Sequence, residues 1–376
     1  MKNIVILGST GSIGRQTLEI TREFPDYFNI VGLAAWNNAD LLRKQIDEFS
    51  PSYVFFNQQK FVPLTEKQTF MPMDEMACLP DTDLVMIATT GKAGLLPLVK
   101  ALNQNKNIAF ANKEPLVMAG EYIKKLRERH SGFFIPVDSE PSAIWQCLEN
   151  SPSEMAHVTI TASGGPFRNQ SHSSLKNVTP AQALKHPTWS MGKRITIDSA
   201  LLMNKGFEVI ESRWLFDISW DKIKVVIHPQ SIVHSMVTFI DGSVKALLSP
   251  PDMRIPIQYA LSYPQRLPIV YSKISDPVDF GTLNFQPLDM NQYPCFKLAL
   301  NAGKQGGTFP AVLTASDEVA VELFLENQIK FTDIHKLLET VLAEHNPESA
   351  FSLQSILAAD QWARTRTKEL AHQLTN

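Results

Sequence analysis

The sequence predicts an α/β fold in three parts: an N-terminal doubly wound, mostly parallel sheet, a central α+β segment and a C-terminal helical bundle. Three observations predict it. Short apolar runs alternate with helix-length amphipathic stretches through the first third, the pattern of strands joined by crossover helices. In the middle, Asp241-Gly242-Ser243 separates two apolar runs, a hairpin signal. Near the C-terminus Ile334, Leu337, Leu338, Val341 and Leu342 fall at i, i+3, i+4, i+7 and i+8, one apolar stripe along a helix.

In order, residues 3–7 read as a buried strand and 12–23 as a helix, followed by a strand at 30–35 and a helix at 39–49. Further strands are expected at 53–56, 84–88, 108–111 and 133–137, with helical segments between several of them. In the middle third, 157–161 and 223–227 are strand-like, and 233–240 and 244–248 form the expected hairpin. Prolines recur from 263 to 293 and no period holds, so this stretch reads as a connection. Segments around 312–326 and 353–372 repeat the helical pattern of the final stripe. The expected division is 1–138 for a nucleotide-type domain, 139–262 for the α+β domain, 263–292 for a linker and 293–376 for the bundle. A chain of 376 residues is too long for one ordinary core.

Composition narrows the class. Hydrophobic residues are 44% and charged residues 19%, as in globular proteins, and the formal charge of −3 gives no basic excess for nucleic acid. Cys78, Cys147 and Cys295 are scattered and lack metal-type spacing. They read as small buried apolar residues in a reducing compartment. No leader pattern precedes the first apolar run, and no apolar stretch approaches the roughly 20 residues of a membrane span. A cytoplasmic protein with no membrane and no nucleic-acid partner is the expectation.

Directly after the first strand comes Gly8-Ser9-Thr10-Gly11-Ser12-Ile13-Gly14, which opens a helix. Glycines there permit a tight turn and close backbone approach, and the helix N-terminus favours a pyrophosphate. Strand, loop and helix at this position are the context of a Rossmann-type dinucleotide site, although a purely structural turn is the alternative. The second strand ends in Ala34-Ala35-Trp36-Asn37-Asn38, with no carboxylate before Asp40. An acidic residue there would bind the ribose of NAD and repel an added phosphate, so its absence favours NADP. Arg15 and Arg43 are the nearest cations in sequence that could reach such a phosphate.

Two acidic segments follow. Asp138-Ser139-Glu140-Pro141 stands between a strand and a helix. It can serve simply as a capped helix start, yet strand C-termini are where open α/β sheets hold ligands. In Asp198-Ser199-Ala200-Leu201-Leu202-Met203-Asn204-Lys205-Gly206-Phe207-Glu208, a helix is expected to begin. Asn204, Lys205 and Glu208 would share one side of it, with a surface ion pair as the plain alternative. Ser163-Gly164-Gly165 ends a strand with exposed N–H groups and a hydroxyl, chemistry suited to phosphate. His186 and His228 follow, and spacing does not choose between them.

Taken together, these segments resemble the 1-deoxy-D-xylulose 5-phosphate reductoisomerase family of the non-mevalonate isoprenoid pathway. The matching motifs are GSTGSIG at Gly8, ANKE at Ala111, PVDSE at Pro136, SGGPF at Ser163, HPTWSMG at His186, DSALLMNKGFE at Asp198, IHPQSIVHSM at Ile227 and PDMR at Pro251. The resemblance implies rearrangement of the phosphosugar to a branched aldehyde and its reduction with NADPH to 2-C-methyl-D-erythritol 4-phosphate, by a homodimer. It implies Asp138, Glu140 and Glu208 as ligands of Mg²⁺ or Mn²⁺, with Lys113 and Ser139 beside the substrate's polar backbone. It places Ser163, Ser199, Asn204, Lys205 and His186 around the phosphate. The cofactor would meet Thr10, Gly11, Ser12, Ile13, Asn37 and Asn38, with Asn112, Glu114 and Gly192 nearer the nicotinamide. Trp189 and Met191 would lie on a closing loop.

Three positions depart from the family pattern: Pro115 after ANKE, Pro141 after DSE, and Trp36-Asn37 in place of a glycine-plus-basic pair. A related metal-dependent reductase or isomerase of another phosphosugar is the nearest alternative. A dinucleotide-sensing binding protein would need only the glycine loop and has no use for the carboxylates and the phosphate cluster.

Overall fold

The computed structural model describes residues 1–58, 64–148, 152–189, 191–347 and 351–375. Ser190 of the expected closing loop lies outside the described residues. The chain forms two compact units. The first comprises Met1–Pro115, Lys125–Ser142 and Asp252–Ser275, and the second Leu116–Lys124, Ala143–Pro251 and Asp276–Asn376.

In the first unit the chain runs β1 (Lys2–Leu7), α1 (Ser12–Glu23), β2 (Phe28–Ala35), α2 (Ala39–Phe49), β3 (Tyr53–Phe56), β4 (Thr69–Phe70), α3 (Met73–Met76), β5 (Leu84–Ile87), α4 (Leu95–Asn103) and β6 (Ile108–Phe110). Then come α5 (Glu114–Arg127), β7 (Phe134–Pro136) and α6 (Ser139–Leu148), the two helices having residues in both units. Seven strands form one parallel sheet in the order β4-β3-β2-β1-β5-β6-β7. Ile4–Leu7 of β1 and all of β5 are buried, because helices cover both faces of such a sheet. In α1 the buried residues Gly14, Thr17, Leu18 and Thr21 follow the helical period and form its inner face. Asn38 caps α2, its Oδ1 accepting the Leu41 N–H at 3.0 Å.

The second unit is built from β8 (Met155–Ala162), α7 (Pro180–Ala183), α8 (Lys193–Ala200), α9 (Met203–Phe216), β9 (Ile223–Ile227), β10 (Val233–Phe239) and β11 (Val244–Leu248). The chain next supplies α10 (Arg254–Ser262), which packs on α1 within the first unit. Back in the second unit follow β12 (Gln286–Pro287), α11 (Pro294–Gln305), α12 (Phe309–Leu325), α13 (Phe331–Glu344) and α14 (Leu353–Thr375). Its sheet is mixed, in the order β11-β10-β8-β9-β12, and the expected hairpin is the antiparallel β10–β11 pair. Helix α12 is the hub of the bundle, buried on nearly every side from Pro310 to Phe324. Helix α13 buries Ile334, Leu337, Leu338 and Val341, with Leu342 packed partly against the same cores, as the stripe required.

One expectation is corrected. The stretch from Asp198 does not run on as a single helix. It divides at Leu201–Leu202, where Leu202 turns left-handed at φ 56° between α8 and α9. That conformation is uncommon for leucine, and burial of the side chain in the core shared with Ile160 and Ala162 offsets its cost. The short strands β4 and β12, two residues each, are too brief to leave a period in the sequence. Cys147 and Cys295 are buried and Cys78 is partly so, all three as free thiols. No helix among the described residues is long and apolar enough to cross a membrane.

Candidate active site

In the first unit the sequence-selected residues gather along the C-terminal edge of the parallel sheet, where this fold class binds ligands. At Gly8 the backbone has φ +98°, and a Cβ would stand 2.3 Å from the Ala88 carbonyl oxygen. A Cβ on Gly14 would meet the Gly8 carbonyl oxygen at the same 2.3 Å. Glycine is therefore required at both ends of the loop, and the turn brings Thr10, Gly11, Ser12 and Ile13 to the start of α1. The N–H groups of Gly8 and Ser9 donate to Ala34 at 2.9 and 2.8 Å, so the loop is tied to the end of β2, two residues before Trp36. Asn37 and the capping residue Asn38 stand directly after that point.

Strands β6 and β7 deliver the next group. Their register pairs Phe110 with Pro136, and the Val137 N–H extends the ladder by donating to Phe110 at 2.8 Å. Asn112, Lys113 and Asp138 thus emerge side by side. Lys113 Nζ lies 2.7 Å from Asp138 Oδ2, with the two side chains 8% and 13% exposed. The other oxygen, Oδ1, accepts the Ser139 N–H at 3.1 Å. Asp138 therefore stands at the start of α6 and pairs with the lysine through the same carboxylate. Ser139 donates its hydroxyl to Glu140 Oε2. Asn112 is fixed on both sides: its Oδ1 accepts from Thr89 Oγ1 at 2.8 Å, and its Nδ2 donates to Glu114 Oε2 at 2.5 Å and to the Gly91 carbonyl at 3.1 Å. Thr89 and Gly94 escaped the sequence reading. A Cβ at Gly94 would come within 2.2 Å of Asn112 Oδ1, so this glycine makes room for the amide.

In the second unit a polar cluster forms around His186. Ser163 follows β8, and the turn behind it takes positive φ at Gly164 (+81°) and Gly165 (+67°). Tyr293 donates its hydroxyl to the Gly164 carbonyl at 3.0 Å and steadies the turn. His186 Nε2 lies 3.1 Å from Ser163 Oγ and 3.1 Å from Ser199 Oγ. Its Nδ1 accepts the N–H groups of Thr188 and Trp189 at 3.2 and 2.9 Å, which assigns the ring proton to Nε2. Burial pushes the His186 pKa down to about 4, so the ring is neutral near pH 7.

His228 is employed differently. Its Nδ1 lies 2.8 Å from the Asn284 carbonyl, its Nε2 accepts the Ile232 and Val233 N–H groups, and Phe285 stacks on the ring at 4.7 Å. The structure thus separates the two histidines: His228 braces the strand entry and His186 joins the serines.

On α9, Asn204 Nδ2 donates to Glu208 Oε1 at 2.5 Å and Lys205 Nζ donates to Glu208 Oε2. Lys205 is 6% exposed and Glu208 1%, so the surface ion-pair alternative does not hold. Gly192 is exposed and caps α8. A second ionic cluster lies behind Ser199 and was missed in the sequence. Arg194 stands 3.9 Å from Asp198 Oδ2, 3.9 Å from Asp317 Oδ2 and 3.4 Å from Glu318 Oε2, and Arg364 pairs with Glu318 at 2.6 Å. The signal was available in α12, where Asp317-Glu318 interrupts an otherwise apolar helix. Burial first, and the neighbouring Asp198 second, push the Asp317 carboxyl well above the usual range.

Comparison with known proteins places the whole chain. The family model for 1-deoxy-D-xylulose 5-phosphate reductoisomerase matches residues 4–120, that for its C-terminal domain 134–216, and the DXP reductoisomerase C-terminal domain model 248–366. The 1-deoxy-D-xylulose 5-phosphate reductoisomerase of Pelotomaculum thermopropionicum is 47% identical over 388 residues, covering 100% of both chains. That of Caldanaerobacter subterraneus is 50% identical over 375 residues, covering 97% of this chain and 98% of the relative. A crystal structure of DOX-P reductoisomerase in complex with NADPH, fosmidomycin and magnesium superposes with a TM-score of 0.93 at 33% identity, over 100% of each chain. The Zymomonas mobilis enzyme in complex with NADPH gives 0.89 at 34%, over 98% of this chain and 99% of that one. The chain belongs to the 1-deoxy-D-xylulose 5-phosphate reductoisomerase family.

Proposed function

We propose that this chain rearranges 1-deoxy-D-xylulose 5-phosphate and reduces the branched aldehyde with NADPH to 2-C-methyl-D-erythritol 4-phosphate, a step of non-mevalonate isoprenoid synthesis. The observation that carries the reading is the buried Lys113–Asp138 pair on the sheet edge that also bears the glycine loop. That arrangement joins a substrate-facing cation to a dinucleotide cradle, which a cofactor sensor does not require.

The loop fits the cofactor, because Gly8 and Gly14 leave bare backbone where a Cβ would collide. In this reading Thr10, Gly11, Ser12 and Ile13 hold the pyrophosphate, Asn37 and Asn38 the adenosine end, and Asn112, Glu114 and Gly192 the nicotinamide end. The relays from Thr89 and Glu114 fix the Asn112 amide and with it the orientation of whatever group it contacts.

Asp138, Glu140 and Glu208 would hold Mg²⁺ or Mn²⁺. All three donors are carboxylates, the hard-oxygen chemistry these ions take. When bound, the ion supplies Lewis-acid polarisation of the substrate's carbonyl and hydroxyl oxygens. Lys113 stabilises negative charge developing on those oxygens or moves a proton there, and Ser139 orients the sugar. Neutral His186 donates Nε2–H to the serine oxygens, which turns the hydroxyl hydrogens of Ser163 and Ser199 toward the phosphate. Asn204 and Lys205 complete that phosphate set. Binding energy from the phosphate holds the sugar in place while carbon–carbon bonds rearrange. Trp189 and Met191, on the loop after His186, exclude water.

We read 1–138 as the cofactor domain, 139–262 as the catalytic domain, 263–292 as the linker and 293–376 as the helical domain of a cytoplasmic homodimer. The open outer strand β11, with Val244 54% exposed and Leu248 39% exposed, supports the dimer. The test mixes purified protein, 1-deoxy-D-xylulose 5-phosphate, NADPH and Mg²⁺ or Mn²⁺, then follows cofactor oxidation and identifies the product. Metal-dependent turnover to 2-C-methyl-D-erythritol 4-phosphate supports the reading. A folded sample that binds NADPH but does not oxidise it with this sugar overturns the substrate.

A further inference from the structure

We infer that Trp36 is the platform on which the adenine ring of the cofactor stacks, and that uncharged Asn37 faces the 2′ position of its ribose. This chain would then hold the adenosine end by ring contact more than by charge. The inference rests on the reading that NADPH occupies the glycine loop, and it concerns the exposed Trp36-Asn37 pair directly after β2.

The sheet topology fixes which half of a dinucleotide can reach Trp36. Strand β1 lies between β2 and β5, so the loop after β1 is the point where the connections diverge. Asn112, Lys113 and Asp138, the groups suited to chemistry, follow β6 and β7 on one side. A dinucleotide with its pyrophosphate on the loop and its reactive ring on that side must lay its adenosine across the ends of β2 and β3. Trp36 is the first residue beyond β2, and the hydrogen bonds from Gly8 and Ser9 to Ala34 hold that strand end against the loop.

The indole is presented and braced. Trp36 is 50% exposed, its ring centroid lies 6.2 Å from that of Phe55 with a 37° tilt, and Phe55 packs on Phe70 at 5.5 Å. One side is thus backed by a row of aromatic rings while half the surface remains open. Aromatic faces accept any base by stacking.

The segment after β2 supplies little charge for an added phosphate, which leaves exposed Arg15 of α1 as the other cation in sequence reach. Between Trp36 and Leu42 the sequence has no cation. Arg43, the first one along α2, pairs with Asp40 at 2.8 Å. Asn38 Oδ1 is committed to the Leu41 N–H, whereas Asn37 is exposed. An amide at that place donates to a phosphate without countering its charge.

The test measures dissociation constants for NADPH, NADH, 2′,5′-ADP and 5′-ADP by calorimetry on the wild type and on Trp36→Ala, Trp36→Phe and Asn37→Arg. Loss of a stacking face weakens binding by roughly 5- to 150-fold. Trp36→Ala is therefore expected to weaken all four ligands by a similar factor in that range, while Trp36→Phe stays within about threefold of the wild type. Asn37→Arg is expected to tighten NADPH and 2′,5′-ADP by about fivefold or more and to leave NADH and 5′-ADP nearly unchanged, since only the first pair carries the 2′-phosphate. A melting curve on each variant establishes that it is folded. Unchanged constants in folded Trp36→Ala overturn the stacking platform, and an equal gain for NADH and NADPH in Asn37→Arg overturns the placement of Asn37. A wild type that binds neither dinucleotide overturns the underlying reading of the glycine loop instead.

Discussion

The Nδ1 atom of His186 accepts the backbone N–H of Trp189 at 2.9 Å, while Nε2 of the same ring faces the hydroxyls of Ser163 and Ser199. One neutral ring thus couples the serines proposed for the phosphate to the loop proposed to close. Replacing it breaks both ends at once. A lost hydrogen bond with a buried partner left behind costs about 1–3 kcal/mol, so His186→Ala should raise the KM for the phosphosugar by roughly 5- to 150-fold. NADPH affinity should change less than the KM, because the pyrophosphate is proposed to rest on the glycine loop between β1 and α1, and His186 bonds to the serines and the Trp189 backbone. Steady-state kinetics with a separate NADPH titration checks this. An unchanged KM would refute the role.

The same ring fixes a pH expectation. The folded pKa of about 4 lies below the unfolded value near 6.5, and burial is the cause. Its contribution to stability is present above the unfolded value and is lost as pH falls from about 6.5 toward 4. Between pH 6.5 and 9 the ring stays neutral, so it adds no ionisation to the KM profile in that range. Nitrogen-15 shifts of the His186 side chain should remain those of the neutral Nε2–H tautomer down to about pH 5. A titration centred near 6.5 would contradict the buried, acceptor-bound ring.

Lys113 shares Asp138 with the proposed cation. Its ammonium occupies Asp138 Oδ2 at 2.7 Å in a pair that is nearly buried. Lys113→Met removes a competing positive charge and also the group placed to stabilise charge on the substrate. Mn²⁺ should therefore bind several-fold more tightly, while kcat falls by roughly 10²- to 10³-fold, the scale of losing one preorganised charge-stabilising donor. Paramagnetic resonance titration of Mn²⁺ with parallel turnover measurements reads both. Loss of turnover together with weaker Mn²⁺ binding would show that the lysine supports the metal site and does not compete with it.

The fold was legible where burial leaves a period. The run in β1 and the stripe of α13 bury one face or both, the hairpin between β10 and β11 is marked by its Asp241-Gly242-Ser243 turn, and each stood out in the sequence. Asp138 was ambiguous because one carboxylate both stands at the start of α6 and pairs with Lys113, and a helix start alone explains the same letters. Likewise Lys205 and Glu208 looked like a surface pair until α9 proved buried on that side. The divide at Leu202 carried no signal, since leucine gives no local reason for a left-handed turn and the cause is tertiary packing. Nor does spacing separate His186 from His228. What distinguishes them is whether the ring meets serine hydroxyls or strand backbone.

The buried carboxyl of Asp317 gives the last prediction. Asp317 is fully buried with Asp198 and Arg194 beside it, and burial first, then Asp198, raises its pKa well above the ordinary value. The folded protein therefore keeps a proton that the unfolded chain releases near pH 4. The associated stability is present in full below about pH 4 and is lost as pH rises through the window up to the folded pKa. The slope is at most about 1.4 kcal/mol per pH unit for one such proton. Asp317→Asn keeps the shape and donates a hydrogen bond to Asp198 without titrating. Its Tm relative to wild type should therefore climb as pH is raised from about 4 and level off once the folded Asp317 has released its proton. Thermal unfolding of both proteins across that pH range decides it. A difference that stays flat would mean that Asp317 is already ionised throughout, neutralised by Arg194 at 3.9 Å.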